Sequence, residues 1–228
     1  MFQTKKTVRA ERGLFFFKVE LLWMKYVVGI DEVGRGSLAG PVVVAAVAAT
    51  LVAGSWYLVA GKPRGKLRDS KKLAPKRREE WFAYIKIHPQ VSYAVARVYP
   101  RTIERINISR AANLAAARAY RRLMVKRGGH IASRRIYLDG GLYIGKNKHF
   151  PNARTIVRGD EKFTAIKLAS IVAKVSRDRL MTRLAKKHPQ YGFEMHKGYG
   201  TEAHFAALRK HGPSEAHRLT FISEYHKK

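Results

Sequence analysis

Two valine-rich runs, YVVGI at 26–30 and PVVVAAVA at 41–48, flank the glycine-bearing stretch DEVGRGSLAG at 31–40. Short apolar runs separated by a turn predict two neighbouring strands. Asp31 and Glu32 then stand at the end of the first. Residues 61–80 are polar and loop-like until Pro75, where a first-turn proline followed by Glu79 and Glu80 predicts a helix to about Ile87. VSYAVARV at 91–98 alternates partially and predicts a third strand. From Asn107 to Lys126, the positions Ile108, Ala111, Ala112, Ala115, Ala119 and Leu123 recur at helical spacing. Arg110, Arg118, Arg121 and Arg122 lie off that stripe, so the segment is an amphipathic helix whose small residues suit it to pack close on a sheet.

RIYLDG at 135–140 and ARTIVRGD at 153–160 predict two further short strands. A helix over 160–187 would carry Ala165, Leu168, Ala169, Val172 and Val175 or Ser176 on one side. HKGYGT at 196–201 is a glycine turn, followed by a short helix to about His211. Three predicted strand ends therefore finish in acid: Asp31 with Glu32, Asp139, and Asp160. In a sheet whose strands alternate with helices, ligand sites form where strand ends and helix starts converge.

The 228 residues suffice for one sizeable core, and 46% apolar and 11% aromatic content is that of a globular chain. Charge changes the picture more. With 46 Lys and Arg against 16 Asp and Glu, the formal charge is +30, an excess that calls for a polyanionic partner, and nucleic acid is the natural one. A basic structural protein is the competing explanation. There is no cysteine, which excludes disulfides, thiol nucleophiles, Cys-ligated zinc and iron–sulfur clusters. LFFFKVELLWM at 14–24 is too short, and too interrupted by Lys18 and Glu20, for a membrane span, and no cleavage site follows it. The expectation is a cytoplasmic protein, with residues 1–24 as an N-terminal extension that ends at Met24.

Carboxylates gathered in one cleft stay ionised together only if cations neutralise them, and oxygen donors favour Mg²⁺ or Mn²⁺. Asp31, Glu32, Asp139 and Asp160 are enough to hold two ions, which together can drive an in-line displacement at phosphorus without a protein nucleophile. Each acid also has a plainer explanation. Asp31 and Glu32 could be a solvated strand end, Asp139 could start a turn before Gly140 and Gly141, and Asp160 could cap a helix. Asp178, in SRDRL, is expected to pair with neighbouring arginines and is only a second choice.

GIDEVGRGSLAGPVVVAAV (29–47), DSKKLAPKRRE (69–79), ERINISRAANLAAARA (104–119), YLDGG (137–141), GDEKFTAIKLASIVAKVSRDRLM (159–181) and HPQYGFEMHKGYGTEAHFAALRKHGPSEAHRLTF (188–221) occur in this order. That series resembles the bacterial ribonuclease HII family, the type 2 ribonucleases H. The resemblance implies an α/β, ribonuclease H-like fold: a central mixed β-sheet flanked by α-helices, with a helical C-terminal part, here over residues 25–228. It also implies an endoribonuclease that cuts on the 5′ side of a ribonucleotide in RNA/DNA hybrids and at single ribonucleotides embedded in duplex DNA. The expected products are 5′-phosphate and 3′-hydroxyl ends.

Matched motif to motif, the resemblance makes Asp31, Glu32, Asp139 and Asp160 the metal-binding catalytic acids for Mg²⁺ or Mn²⁺. It assigns Gly34, Arg35 and Gly36 to the ribose 2′-hydroxyl, and Ser70, Lys71 and Lys72, with Arg35, to phosphates. Tyr199 would stack on the adjacent deoxyribose and also touch the 2′-hydroxyl, while Lys174 and Arg177 are general phosphate candidates. A monomer is expected, and the closing HRLTFISEYHKK has no motif that assigns a replication clamp as partner. Ser37 stands where the family often has proline, and Lys167 and Leu168 where it has small residues. Arg35 and the short stretch before the core speak against the related ribonuclease HIII, and the intact acids speak against a non-catalytic binding protein.

Overall fold

A computed structural model describes residues 26–50, 63, 67–126, 135–145 and 152–223. The expected extension, most of the loop at 51–68 and the last residues of the tail lie outside the described residues. Strand β1 (Tyr26–Val33) runs antiparallel to β2 (Val42–Thr50), and β2 antiparallel to β3 (Val91–Val98). On the other side of β1, β4 (Arg135–Asp139) is parallel to it, and β5 (Ala153–Ile156) is parallel to β4. The sheet is therefore mixed, in the order β3-β2-β1-β4-β5.

Helix α1 (Pro75–Ile87) begins at the expected proline. Next come α2 (Pro100–Ile106) and α3 (Ile108–Lys126), joined at Asn107, whose φ of 62° breaks the helical path. The sequence pattern missed α2, although Pro100 directly after a strand is a start signal. The predicted helix over 160–187 is two helices, α4 (Gly159–Lys162) and α5 (Thr164–Lys187), divided at the extended Phe163. After them lie α6 (Phe193–His196), α7 (Glu202–His211) and α8 (Leu219–Ser223). Among the described residues, no helix is long and apolar enough to cross a membrane.

The alternation of the strands decides what covers each face. Val28 and Ile30 of β1, with Val42, Val44, Ala46 and Ala48 of β2, pack against Ala111, Ala112, Ala115, Ala119 and Leu123 of α3, as the alanine stripe predicted. The opposite face carries Ala45, Val47 and Ala49, covered by Trp81, Phe82 and Ile85 of α1 and by α5. Because α5 packs on the sheet and also against α1, residues 168–173 are all buried, a wider face than the predicted stripe. Gly29 makes the close approach possible: a Cβ there would sit 2.1 Å from the Ala165 backbone carbon. A third cluster joins Leu38 and Ala39, just after the glycine turn, to Met181, Tyr191, Phe193, Leu208 and Ile222 of the helical C-terminal part.

Candidate active site

The register of β1 and β4 brings two of the acids together. Gly29 pairs with Tyr137 and Ile30 with Leu138, so one step further Asp31 and Asp139 stand side by side on the face that carries α5. β1 runs to Val33, which places Asp31 and Glu32 inside its last turn of pleat rather than beyond it. The first turn of α4 supplies the third acid. Asp160 is the second residue of that helix rather than its cap, which is the left-handed Arg158. Asp139 Oδ1 accepts hydrogen bonds from the Gly159 and Asp160 amides at 2.6 and 3.2 Å, fixing α4 against the end of β4.

Asp31, Asp139 and Asp160 each offer a carboxylate oxygen within 4.8 Å of the others. Asp31 and Asp160 are buried, at 4% and 6% exposure. Glu32 sits beside this triad rather than in it. Its Oε1 accepts a 3.4 Å bond from Arg35, and its Oε2 is buried with no hydrogen-bond partner. Three oxygens converging, with a fourth carboxylate oxygen unsatisfied next to them, form a set of hard donors that could hold a divalent cation.

The electrostatics point the same way. Burial pushes the Asp31 carboxyl well above the ordinary range, and the charges of Glu32 and Asp139 add to it, against hydrogen bonds from Ser170 and the Glu32 amide. Burial likewise raises Glu32, with Arg35 opposing and Asp139 adding, and raises Asp160, with Asp139 adding. Burial works against the charge on Lys71, yet Asp160, Asp69, Asp31 and Asp139 outweigh it and raise the ammonium's affinity for its proton. The Lys71 Nζ lies 3.7 Å from Asp160 Oδ2 at the open side of the cluster.

The other expected residues divide into those that face outward and those that do not. Arg35 spans from Glu32 to Ser109 Oγ, its Nη2 at 3.0 Å from the latter, and Gly36 is exposed with open space above it. Gly34 is buried against Arg177. Lys72 is exposed and paired with Glu161 at 2.8 Å. Ser70 is buried, and its hydroxyl bonds to Ser170 at 2.7 Å rather than facing out. Tyr199 is 36% exposed, on a loop whose Gly198 carbonyl accepts from the Leu38 and Ala39 amides, so the tyrosine loop is docked on the turn that follows the acids.

Two expectations need correction. Arg177 is fully buried and donates to the carbonyls of Ala39, Pro41 and Lys197, so it anchors backbone and does not meet phosphates. Asp178 does not pair with its neighbours Arg177 and Arg179. It accepts from Lys174 at 2.8 Å and faces Arg78 of α1 at 3.7 Å.

A family model described as Ribonuclease HII matches residues 28–224. The chain belongs to the ribonuclease HII family. The Ribonuclease HII of Caldicellulosiruptor bescii is 42% identical over 198 residues, 87% of each chain. That of Endomicrobium trichonymphae is 45% identical over 195 residues, 86% of this chain and 84% of its own. Among solved structures, the ribonuclease H2 of Pyrococcus horikoshii matches with a TM-score of 0.63 at 23% identity, covering 89% of this chain and 100% of its own. Bst-RNase HIII in complex with Mn²⁺ matches at 0.60 and 20% identity, covering 92% and 73%. The PCNA:RNase HII complex from Archaeoglobus fulgidus matches at 0.59 and 24% identity, covering 85% and 93%.

The fold is thus that of the ribonucleases H2 and H3, and ribonuclease HII membership makes the chain a nuclease, a hydrolase acting on RNA. Reading the motifs did not find Ser170, which bonds both Asp31 and Ser70, or Ser109, which receives Arg35. Ser170 had one signal: a hydroxyl in the middle of an apolar helical face asks for a buried partner. The buried Arg218 had none, since nothing local separates it from the many surface arginines.

Proposed function

We propose that this ribonuclease HII hydrolyses the phosphodiester 5′ to a ribonucleotide, both in RNA/DNA hybrids and at single ribonucleotides in duplex DNA, leaving 5′-phosphate and 3′-hydroxyl ends. The observation that carries the reading is the convergence of Asp31, Asp139 and Asp160 within 4.8 Å beside the orphaned oxygen of Glu32. These four acids would hold two divalent ions, Mg²⁺ or Mn²⁺; the Mn²⁺ complex of the Bst neighbour supports a divalent metal. Bound there, such ions supply an activated water and charge stabilisation at the leaving oxygen.

The protein's own groups do the rest by orientation. Asp139 holds α4 through two amides, which keeps Asp160 turned to the cluster. Ser170 holds Asp31. The turn at Gly34, Arg35 and Gly36 meets the sugar edge of the scissile ribonucleotide, where Gly36 leaves room for a 2′-hydroxyl. Arg35, Lys71 and Lys72 contact phosphates, while Ser70 contributes through the short turn Ser70–Lys72 that it ties to α5. Tyr199 stacks on the deoxyribose next to the ribonucleotide and also reaches its 2′-hydroxyl. The charge of +30 supports a duplex nucleic acid as substrate. We expect a monomer in the cytoplasm.

The test is a nicking assay. With Mg²⁺ or Mn²⁺ the purified protein is expected to cut a DNA duplex containing one ribonucleotide, with the new 3′-hydroxyl on the deoxynucleotide side. Asp31→Asn is expected to bind the same duplex without cutting it. A wild-type protein that binds but never cuts, under any divalent ion, would leave a nucleic-acid-binding protein and end the hydrolytic reading.

A further inference from the structure

Tyr199 carries junction recognition in the reading above, and the loop bearing it is held from beneath by histidines. The Tyr199 carbonyl lies 3.0 Å from His204 Nδ1, His204 Nε2 lies 3.1 Å from His217 Nε2, and His217 Nδ1 lies 3.0 Å from both the amide nitrogen and the hydroxyl of Ser214. Chemistry fixes every proton along this line. A carbonyl only accepts, so His204 Nδ1 carries a hydrogen; a backbone amide only donates, so His217 Nδ1 is bare. The bond between the rings then runs from His217 Nε2–H to His204 Nε2, and the two ends of the chain require the same direction. A second proton on either ring would set donor against donor. Both rings are buried, at 0% and 3% exposure.

Around this line the packing is tight. His196 stacks on His204 with ring centroids 4.3 Å apart, donates to the Tyr191 carbonyl and accepts from the Gly198 amide. The residue after His217 is Arg218, fully buried, which donates to the carbonyls of Gly34, Arg35 and Gly40. One short segment, 214–218, therefore grips both elements that would read the ribose: the tyrosine loop through two imidazoles, and the glycine turn through a guanidinium.

We propose that His204 and His217 are positioning residues for Tyr199, a relay of two neutral imidazoles that sets the tyrosine against the Gly34–Gly36 turn and so tunes the preference for ribonucleotide–deoxyribonucleotide junctions. This rests on the junction role given to Tyr199 above. Neither histidine touches substrate or metal. The mechanism is restriction: a loop bearing a stacking ring loses selectivity when its ring samples several heights, because each height accepts a different sugar.

Conservative substitutions separate positioning from general support. In His204→Asn the amide nitrogen takes the place of Nδ1 and keeps the bond to the Tyr199 carbonyl; in His204→Gln the amide oxygen takes the place of Nε2, accepts from His217 Nε2–H and keeps only that link. Both variants lose one bond of the relay, so urea unfolding should show similar destabilisation. The ratio of cutting at a single ribonucleotide to cutting of a uniform RNA/DNA hybrid should fall about tenfold in His204→Gln, the size of one hydrogen bond expressed in a rate ratio. It should stay within about twofold of wild type in His204→Asn. Nitrogen-15 NMR at neutral pH should show His204 protonated at Nδ1 and His217 at Nε2. Either opposite tautomer, an imidazolium at either ring, or equal ratios in the two variants overturns the proposal. Tyr199→Ala separates the two failures: an unchanged ratio there removes the junction role of the tyrosine itself, and the relay's function with it, whereas a changed ratio with an inert His204→Gln removes the relay alone.

Discussion

Ser37 Oγ accepts a hydrogen bond from Arg177 Nη2 at 2.7 Å and donates one to the Gly34 carbonyl at 3.0 Å. The serine closes the turn onto the buried guanidinium. Ser37→Ala leaves both partners buried and short of one bond. We expect a loss of about 1–2 kcal/mol in urea unfolding, with cutting weakened through the displaced turn. A variant as stable as wild type would show that the hydroxyl is incidental.

The two glycines of the turn should respond in opposite ways. Gly34 has a φ of +83° and a Cβ there would lie 2.1 Å from Arg177 Nε, so Gly34→Ala should cost about 3 kcal/mol by thermal or chemical unfolding. A Cβ at Gly36 meets nothing within 4 Å. Gly36→Ala should therefore fold within about 0.5 kcal/mol of wild type, yet cut more slowly if a ribose approaches the turn at this position. Normal kinetics for Gly36→Ala would remove that contact.

Asp31 is buried among like charges, with its carboxyl raised by burial first and by Glu32 and Asp139 next. In metal-free protein such a cluster costs stability as pH rises through the raised values, because the carboxylates ionise less readily in the fold than in the unfolded chain. Asp31→Asn should raise the melting temperature in EDTA at neutral pH by about 2–4 °C, the equivalent of about 1 kcal/mol in a chain of this size. The wild type should gain stability from Mg²⁺ or Mn²⁺, and the variant should gain less. A lower melting temperature for the metal-free variant would mean that the acids do not repel.

His204 and His217 are both lowered from 6.5 to about 4, in each case chiefly by burial. Folded, they stay neutral over a range in which the unfolded chain already binds protons. Stability should accordingly be lost as pH falls from about 6.5 to about 4, with an uptake of two protons on unfolding across that window. Melting curves on the double variant His204→Asn with His217→Gln should be flatter over the same range. An equally steep fall in both would assign the acid lability to other groups.

Cutting should weaken steeply with salt, since each phosphate contact adds about 0.9 to the slope of log affinity against log salt. Lys71 is 80% exposed beside Asp160. Lys71→Ala should reduce that slope by about one without altering the cut position. An unchanged slope would place Lys71 off the phosphate path.

Some residues could be read in advance. Val42–Thr50, Pro75–Ile87 and Val91–Val98 follow their local patterns closely, because apolar alternation and a first-turn proline act over a few residues. The alanine stripe of Ile108–Lys126 announced the face that α3 buries. Asp178 and Arg177 defeated the same reasoning. Adjacent on one helix, they point to different neighbours, one to Lys174 and Arg78 and the other into the backbone of the turn.

The sequence by itself determined most of the strands and helices, the strand-end positions of Asp31, Glu32 and Asp139, and the family, since each of these is written in consecutive residues or in their order. Asp160, expected to close a strand over 153–160, lies instead in the first turn of α4, because β5 ends at Ile156. Only the tertiary structure decided that Asp31, Asp139 and Asp160 meet while Glu32 stands beside them, and that Ser170, Arg218 and the pair His204–His217 support the site. Those outcomes depend on strand register, on how closely α5 can approach Gly29, and on which buried donor finds which carbonyl. Such contacts join residues that are distant along the chain or turned toward one another only by the fold, and no local periodicity encodes them.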